Sequence, residues 1–315
     1  MSFNLVFMGT PEFAREFLEY VHSNSQFNIQ AVFTQPPKKS NRGQKMSLSS
    51  VHQYAKDQNL SVFVPTSFTR TEIDYLKRIK PDVILVAAYG LILPEEVLMI
   101  PSCGSVNVHA SLLPRWRGAA PIHRAIMSGD DKTGISIMRM EKGLDEGPTY
   151  LQTAIPISEN DTYENVYNTL IEAGKKTLND YFFPSSHSLH YPARQDPDGV
   201  TYAHKIKKSE TKIDFNDTVF NSHKKICAFS QKPGAWIELE NIKYKLFDTR
   251  IINKSEITKL LNQGKLILSF KDGFLLINKI QKEGKNIMQI EDFKRGYTKE
   301  FEKLKKLFLD PKLSD

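Results

Sequence analysis

The 315-residue chain has only two cysteines, Cys103 and Cys227, which stand far apart in the sequence. A single pair placed in this way supports neither a disulfide framework nor a zinc site, so we expect a reducing compartment and no bound metal. The chain also lacks an apolar run long enough to span a bilayer, and its N-terminus lacks the basic region and cleavage site of a signal peptide. These absences predict a cytoplasmic protein without membrane association, with import into an organelle left open.

A dinucleotide-binding fingerprint is missing as well. The turn after the first predicted strand reads Gly9-Thr10-Pro11-Glu12-Phe13, with one glycine where that fingerprint needs three, so we do not expect NAD to bind there. Short apolar runs still alternate with helical patterns through the first half of the chain, which is typical of a mostly parallel sheet covered by helices. We predict a doubly wound, Rossmann-like α/β domain with strands over 3–8, 28–34, 82–87, 104–110, 133–140 and 149–157 and a long helix over 161–183.

The second part of the chain has a different pattern. Prolines and a glycine interrupt a polar stretch after residue 183, which predicts a linker over 184–208. Short strand-like runs separated by turn residues then predict a small all-β, OB-like barrel over 209–315. These runs cover 235–239, 244–252, 265–270 and 274–280, and a charged helix follows near 299–309.

Positive charge is concentrated in this second part. Residues 1–199 contain 19 Lys and Arg against 21 Asp and Glu, whereas residues 200–315 contain 24 against 15. An excess confined to one region attracts polyanions such as nucleic acid. A solvated lysine-rich surface would give the same count, so charge alone leaves both interpretations open.

One predicted strand ends in polar residues, because Asn107 and His109 alternate with Val106 and Val108. Successive side chains of a strand point to opposite faces, so the amide and the imidazole share one face. Open α/β sheets bind ligands at the carboxyl ends of their strands. A single histidine after a strand is more often structural, but the neighbouring amide and the Leu-Leu-Pro turn that follows favour a catalytic pair.

A carboxylate partner for this histidine is Asp145, which stands between Gly143 and Gly147. Taken alone, an aspartate in a turn flanked by glycines needs no function. An imidazole beside an amide, however, needs an acidic group to fix its orientation. We therefore predict that Asn107, His109 and Asp145 are the catalytic residues.

A basic segment lies over residues 36–46. A solvated connection would have the same composition, but eleven residues between a strand and a helix exceed the usual length, and long loops in compact domains tend to be functional. The segment carries four positive charges and no acid: Lys38, Lys39, Arg42 and Lys45.

Several motifs carry a resemblance to a known family. Asn107-x-His109, followed by Ser111-Leu112-Leu113-Pro114, Gly118 and Asp145, is similar to the active-site signature of the folate-dependent formyltransferases. Other stretches resemble the members of that family that act on tRNA, and those after residue 200 separate these members from their small-molecule relatives. The stretches are 7–14, 87–94, 115–122, 201–206, 232–236 and 292–296. His123 departs from the pattern, which has Gln there, and the basic segment also differs from that of the family.

The resemblance implies that 10-formyltetrahydrofolate is the formyl donor and that the α-amino group of methionyl initiator tRNA is the acceptor, with no metal involved. It implies that Asn107 stabilises an oxyanion, that His109 moves a proton, and that Asp145 orients the imidazole and favours its protonated form. The folate contacts that it implies are Ser111, Leu112, Leu113 and Pro114, together with Tyr89, Gly90, Leu91 and Ile92. Arg42, with Lys38, Lys39 and Lys45, is implied to contact the acceptor end of the tRNA.

The predicted organisation is then a formyltransferase catalytic domain over 1–183, a linker, and a tRNA-binding barrel over 209–315, in a monomer that needs no protein partner. Two other functions stay open. A formyltransferase acting on an amino sugar nucleotide or a purine precursor would share the first domain but would not need the basic second part. A non-catalytic nucleic-acid-binding protein would not need Asn107, His109 and Asp145.

Overall fold

The computed structural model describes residues 2–40, 45–184 and 191–308. The chain forms two compact units, and each unit combines segments that are distant in sequence. The first comprises residues 1–121, 133–155 and 168–204, and the second comprises 122–132, 156–167 and 205–315. Among the helices of the described ranges, none is long and apolar enough to cross a lipid bilayer.

The larger sheet follows from the apolar runs of the first half of the chain. β1 (Phe3–Gly9), β2 (Phe27–Phe33), β5 (Val62–Phe63), β6 (Val83–Ala87), β7 (Ser105–His109), β9 (Lys132–Arg139) and β10 (Thr149–Pro156) form it. Two short pairs lie outside it: β3 (Lys38–Ser40) with β4 (Lys45–Ser47), and β8 (Arg117–Gly118) with β11 (Tyr202–Ala203).

Seven strands lie in the order β10-β9-β7-β6-β1-β2-β5. β1 runs parallel to β2 and β6, β6 runs parallel to β7, and β9 is antiparallel to β7. All five residues of β6 are buried, as expected for a strand covered on both faces. The predicted mostly parallel, Rossmann-like α/β sheet is confirmed. The helices that precede residue 183 in the sequence are α1 (Glu12–Ser23), α2 (Ser50–Asp57), α3 (Arg70–Ile79), α4 (Glu95–Leu98), α5 (Pro121–Met127) and α6 (Tyr163–Phe182).

The smaller sheet is antiparallel and has five strands in the order β12-β13-β15-β14, with β16 paired to β15. These are β12 (Ala235–Leu239), β13 (Ile242–Ile252), β14 (Leu266–Phe270), β15 (Gly273–Lys282) and β16 (Met288–Gln289). Alternate residues of β12 point into the core, which is the pattern of a sheet with one covered face.

The prediction that this part is all-β apart from its last helix is wrong. α7 (Val219–Ala228), α8 (Ile257–Asn262) and α9 (Ile290–Gly296) also belong to it, and α10 (Thr298–Phe308) is the charged helix predicted near 299–309. Ile226, Phe293, Phe301 and Leu304 of these helices join the same buried cluster as Leu246 of the sheet. Burying each such side chain contributes about 1.5–3 kcal/mol, so the helices are part of the core.

His123 of α5 lies in an aromatic environment within the second unit. Its ring centroid is 4.3 Å from that of Tyr163 and 6.0 Å from that of Phe229. Burial, together with the positive charge of Arg124, lowers the pKa of His123 to about 4. The folded protein therefore keeps this imidazole neutral at a pH at which an unfolded chain protonates it.

We expect the stability of the protein to fall as the pH drops from 7.5 to 4.5, because protons then bind the unfolded His123 but not the folded one. His123→Gln, which restores the residue of the family pattern, should remove about 2 kcal/mol of this loss. The measurement is urea unfolding of both proteins at the two pH values. Equal losses in the wild type and the variant would contradict the prediction.

Candidate active site

β7 places two polar side chains at the carboxyl edge of the larger sheet. Asn107 pairs with Val86 of β6, and His109 pairs with Ser136 of β9. Only 7% of Asn107 and 6% of His109 is exposed. Buried polar groups need hydrogen-bond partners, so the contacts of these two side chains define the site.

Asp145 lies in the turn between β9 and β10 and faces both side chains. Its Oδ1 is 3.5 Å from Asn107 Nδ2, and its Oδ2 is 3.6 Å from His109 Nδ1. Oδ2 also accepts a hydrogen bond of 2.8 Å from the backbone N–H of Gly118. The structure thus brings together the three residues predicted to be catalytic. At 3.6 Å, the aspartate and the imidazole form a charge contact when the ring is protonated, since this distance is too long for a hydrogen bond.

The second nitrogen of His109 determines the tautomer. Nε2 is 2.9 Å from the backbone carbonyl oxygen of Trp116. A carbonyl oxygen can only accept, so Nε2 carries a hydrogen and donates it. Nδ1 is then the nitrogen that can take up and release a proton, and it is the nitrogen that faces Asp145.

The turn after β7 is held by a network of hydroxyl and amide groups. The Ser111 hydroxyl donates to the Arg115 carbonyl at 2.6 Å, and the Leu113 N–H donates to Ser136 Oγ at 3.1 Å. Gln152 Nε2 donates to the Leu113 carbonyl at 2.9 Å and to Ser136 Oγ at 2.8 Å. Ser111 and Leu113 are buried, whereas Leu112 and Pro114 are half-buried. The predicted folate residues 111–114 thus form a fixed turn next to His109.

The other predicted folate residues, 89–92, differ in exposure. The Tyr89 side chain is buried in the core, and this burial raises its pKa. Its backbone carbonyl accepts from Thr10 Oγ1 at 2.8 Å and from Gln35 Nε2 at 3.0 Å. Ile92, in contrast, is 90% exposed, so it presents an apolar surface to solvent. Gly90 and Leu91 connect the buried Tyr89 to the exposed Ile92.

The basic segment contains the antiparallel pair β3–β4, in which Lys38 is opposite Ser47. Lys38 is exposed, and its ammonium group donates to Gln35 Oε1. Lys39 and Lys45 belong to the two strands by their backbones. Arg42, the residue predicted to contact tRNA most directly, lies outside the described residues.

Sequence reasoning missed two side chains next to this site. Arg117 is buried, and its Nε and Nη2 donate to Gln195 Oε1 at 3.0 and 2.8 Å. Gln195 Nε2 donates to the carbonyls of Asp145 and Gly147 at 2.8 and 2.7 Å. Gln195 lies in a segment without periodicity, which we interpreted as a linker, so only its structural neighbours reveal it.

Within the described ranges, no group of three or more His, Cys, Asp or Glu side chains could hold a metal ion.

Two family models match the chain. The family described as formyl transferase matches residues 3–181, and the family described as formyl transferase, C-terminal domain, matches residues 205–298. A methionyl-tRNA formyltransferase of Jannaschia sp. is 40% identical over 293 residues, which are 93% of this chain and 96% of that protein. One of Nitrosomonas eutropha is 40% identical over 300 residues, which are 93% of this chain and 94% of that protein.

Solved structures share the fold at lower identity. An N-formyltransferase of Helicobacter canadensis, in complex with folinic acid and dTDP-3-aminofucose, aligns with a TM-score of 0.61 at 21% identity, covering 89% of this chain and 99% of that chain. HypX of Aquifex aeolicus, in complex with tetrahydrofolic acid, aligns with a TM-score of 0.58 at 13% identity, covering 95% of this chain and 48% of that chain.

Proposed function

The chain belongs to the formyl transferase family, and on this premise we propose that it transfers the formyl group of 10-formyltetrahydrofolate to the α-amino group of methionyl initiator tRNA. The convergence of Asn107, His109 and Asp145 at the carboxyl end of β7 carries this proposal. The relatives named methionyl-tRNA formyltransferase, which match 93% of the chain, support the choice of acceptor.

The reaction forms a bond between the amine nitrogen and the formyl carbon and breaks the bond between that carbon and the folate nitrogen. The formyl oxygen gains negative charge as the amine attacks. Asn107 has one amide hydrogen directed to Asp145, and its second amide hydrogen is available to this oxygen. A donor placed where charge develops lowers the barrier, typically by about 3–4 kcal/mol.

His109 carries the proton in this mechanism. The attacking nitrogen must lose a proton, and the departing folate nitrogen must gain one. His109 Nδ1 can perform both transfers because Nε2 is already committed to the Trp116 carbonyl. Asp145, 3.6 Å from Nδ1, stabilises the positive ring that exists between the two transfers.

The residues next to β7 suit a folate. The turn at 111–114, in which Ser111 and Leu113 are buried, forms a rigid surface beside His109, and the exposed Ile92 offers an apolar contact for a flat ring. Folate would supply an activated formyl group there. We assign the folate contacts to residues 111–114 and to the exposed part of 89–92, because the Tyr89 side chain lies in the core.

The second part of the chain is assigned to tRNA binding. Its positive excess and its match to the C-terminal family domain support this assignment. We assign the domains as catalytic over 1–183, linker over 184–208 and tRNA-binding over 209–315, and we interpret the five-stranded sheet as part of an OB-like barrel. The protein acts as a cytoplasmic monomer in this proposal.

The test is formyl transfer from labelled 10-formyltetrahydrofolate to each candidate acceptor. We expect labelled formyl-methionyl-tRNA with initiator tRNA and a much lower kcat/KM with a dTDP-linked amino sugar. A higher kcat/KM for the amino sugar would overturn the choice of acceptor. Absence of transfer to either acceptor would overturn the reaction itself.

We expect Arg42→Ala and Lys38→Ala each to raise the KM for tRNA several-fold and to leave the KM for folate unchanged. Each lost phosphate contact should reduce the slope of log affinity against log salt by about one. The measurement is tRNA affinity and steady-state kinetics across a salt series. Lys77→Ala is the matched control, because this exposed lysine lies outside the basic segment and is paired with Glu96. Unchanged slopes in both test variants would remove the basic segment from the tRNA contact.

A further inference from the structure

Residues 191–204 contact the active-site segments at several points. Ala193 and Thr149 exchange two backbone hydrogen bonds of 2.8 Å each. The Thr201 hydroxyl accepts from the Trp116 N–H at 2.9 Å, and β11 pairs in parallel with β8. This segment, which we call the strap, therefore holds the backbone that supplies the Trp116 carbonyl to His109 and the Gly118 N–H to Asp145.

Gln195 is the residue of the strap that reaches the turn of Asp145. Its amide nitrogen donates to the carbonyls of Asp145 and Gly147, and its amide oxygen accepts twice from Arg117. All the hydrogen-bonding groups of this amide are thus engaged on both sides. A glutamine bound in this way fixes the distance between the turn of Asp145 and the segment that contains Gly118.

The turn of Asp145 needs such support. Asp145 has a φ of 52°, in the left-handed region, which residues other than glycine seldom adopt, although Asp and Asn adopt it more readily than most. Gly147 cannot carry a side chain, since a Cβ there would lie 1.8 Å from the Arg139 carbonyl oxygen. The left-handed conformation of Asp145 persists when the surrounding structure holds it in place. The two hydrogen bonds from Gln195 end on the carbonyls of these two residues.

We propose that Gln195 is a positioning residue for formyl transfer. Held by Arg117, it keeps the Asp145 carboxylate against the Gly118 N–H and His109. Its effect on catalysis rests on the proposed function, whereas its effect on the turn does not. Gln195 bonds the backbone of Asp145 and not its carboxylate, so it acts on the reaction through the placement of that carboxylate.

Two substitutions separate this role from simple packing. Gln195→Leu removes the donor and the acceptor. Gln195→Glu keeps the volume and the partner of Arg117 but places a carboxylate against two carbonyl oxygens. We expect both variants to lower kcat about 10- to 30-fold, since displacing a catalytic group by about 1 Å can cost up to 10²-fold. The KM values for folate and tRNA should change less than about threefold, because Gln195 bonds protein groups.

A readout without catalysis tests the same contact. Hydrogen exchange of the Gly118 amide, which donates to Asp145 Oδ2, should accelerate at least about tenfold in both variants. The amides of β7 should keep their wild-type exchange rates, whereas a general loss of stability would accelerate them as well. Gln53→Leu, at an exposed glutamine of α2, is the matched control and should change neither quantity.

A double-variant cycle completes the test. In an Asp145→Asn background, Gln195→Leu should lower kcat less than about twofold further, because the group that it positions has been removed. Wild-type kcat and wild-type Gly118 exchange in Gln195→Leu would overturn the proposal. A further loss of kcat of about 10- to 30-fold on adding Gln195→Leu to the Asp145→Asn variant would also overturn it. If the wild-type protein transfers no formyl group, the proposed function is overturned instead. The exchange rates of the Gly118 amide then still test whether Gln195 holds the turn of Asp145.

Discussion

His109→Ala should lower kcat for formyl transfer by about 10²–10⁴-fold, the range typical for removal of a positioned acid–base group. Asn107→Ala should lower it by about 10²–10³-fold, because a donor to the developing oxyanion is lost. The two side chains share one face of β7, and the Asp145 carboxylate faces both. The measurement is the initial rate with both substrates saturating.

Burial of the two side chains makes folding the necessary control for this prediction. His109→Ala removes the hydrogen bond that the ring donates to the Trp116 carbonyl, which costs about 0.5–1.5 kcal/mol of stability. Circular dichroism and thermal unfolding should therefore show folded variants with modestly lower stability. His22→Ala on α1, where the ring contacts the Tyr54 hydroxyl at 3.1 Å, tests the loss of a histidine outside the site. A folded His109→Ala or Asn107→Ala variant with near wild-type kcat would contradict the assignment of that residue.

The larger sheet was predictable because burial on both faces leaves a simple pattern. β6 is an unbroken apolar run, and its observed bounds, Val83–Ala87, differ by one residue from the predicted 82–87. The alternation along β7 was enough to put Asn107 and His109 on one face. Local periodicity carries this information, so no contact between distant residues had to be known.

The strap could not be predicted in the same way. Gln195 contacts Asp145 and Arg117, which are 50 and 78 residues away in sequence. These contacts run between one side chain and backbone or side-chain groups, so they impose no period on the sequence around Gln195. Prolines and a glycine, which are typical of linkers, are equally compatible with an irregular segment that is held along its length.

α7 was missed for a different reason. His223 and Lys224 are buried within it, so its sequence lacks the clean separation of apolar and polar faces. The structure satisfies both groups, because His223 Nδ1 lies 2.8 Å from Thr249 Oγ1 and Lys224 Nζ donates to the Glu159 carbonyl at 2.8 Å. Such partners come from other segments, and a pattern that treats Lys and His as exposed residues cannot include them.

Asp145→Asn tests the carboxylate with almost no change in volume. Both carboxylate oxygens face donors, since Oδ1 faces Asn107 Nδ2 and Oδ2 accepts from the Gly118 N–H. The amide that replaces the carboxylate has one oxygen, so in either orientation its NH₂ group would be directed at a donor. The variant also loses the negative charge that lies 3.6 Å from His109 Nδ1.

We expect Asp145→Asn to lower kcat by about 10²–10³-fold. The same substitution in a serine protease triad costs about 10⁴-fold, but there the aspartate is hydrogen-bonded to the histidine, whereas here Oδ2 and Nδ1 are 3.6 Å apart. The KM for each substrate should change less than about threefold, because the contacts of Asp145 are made with protein groups. Glu146→Gln removes one charge from an exposed neighbour in the same turn and should leave kcat unchanged. If Asp145→Asn retains kcat within about threefold of the wild type, the carboxylate does not serve His109, and proton transfer in this site must depend on the imidazole and its contact with the Trp116 carbonyl alone.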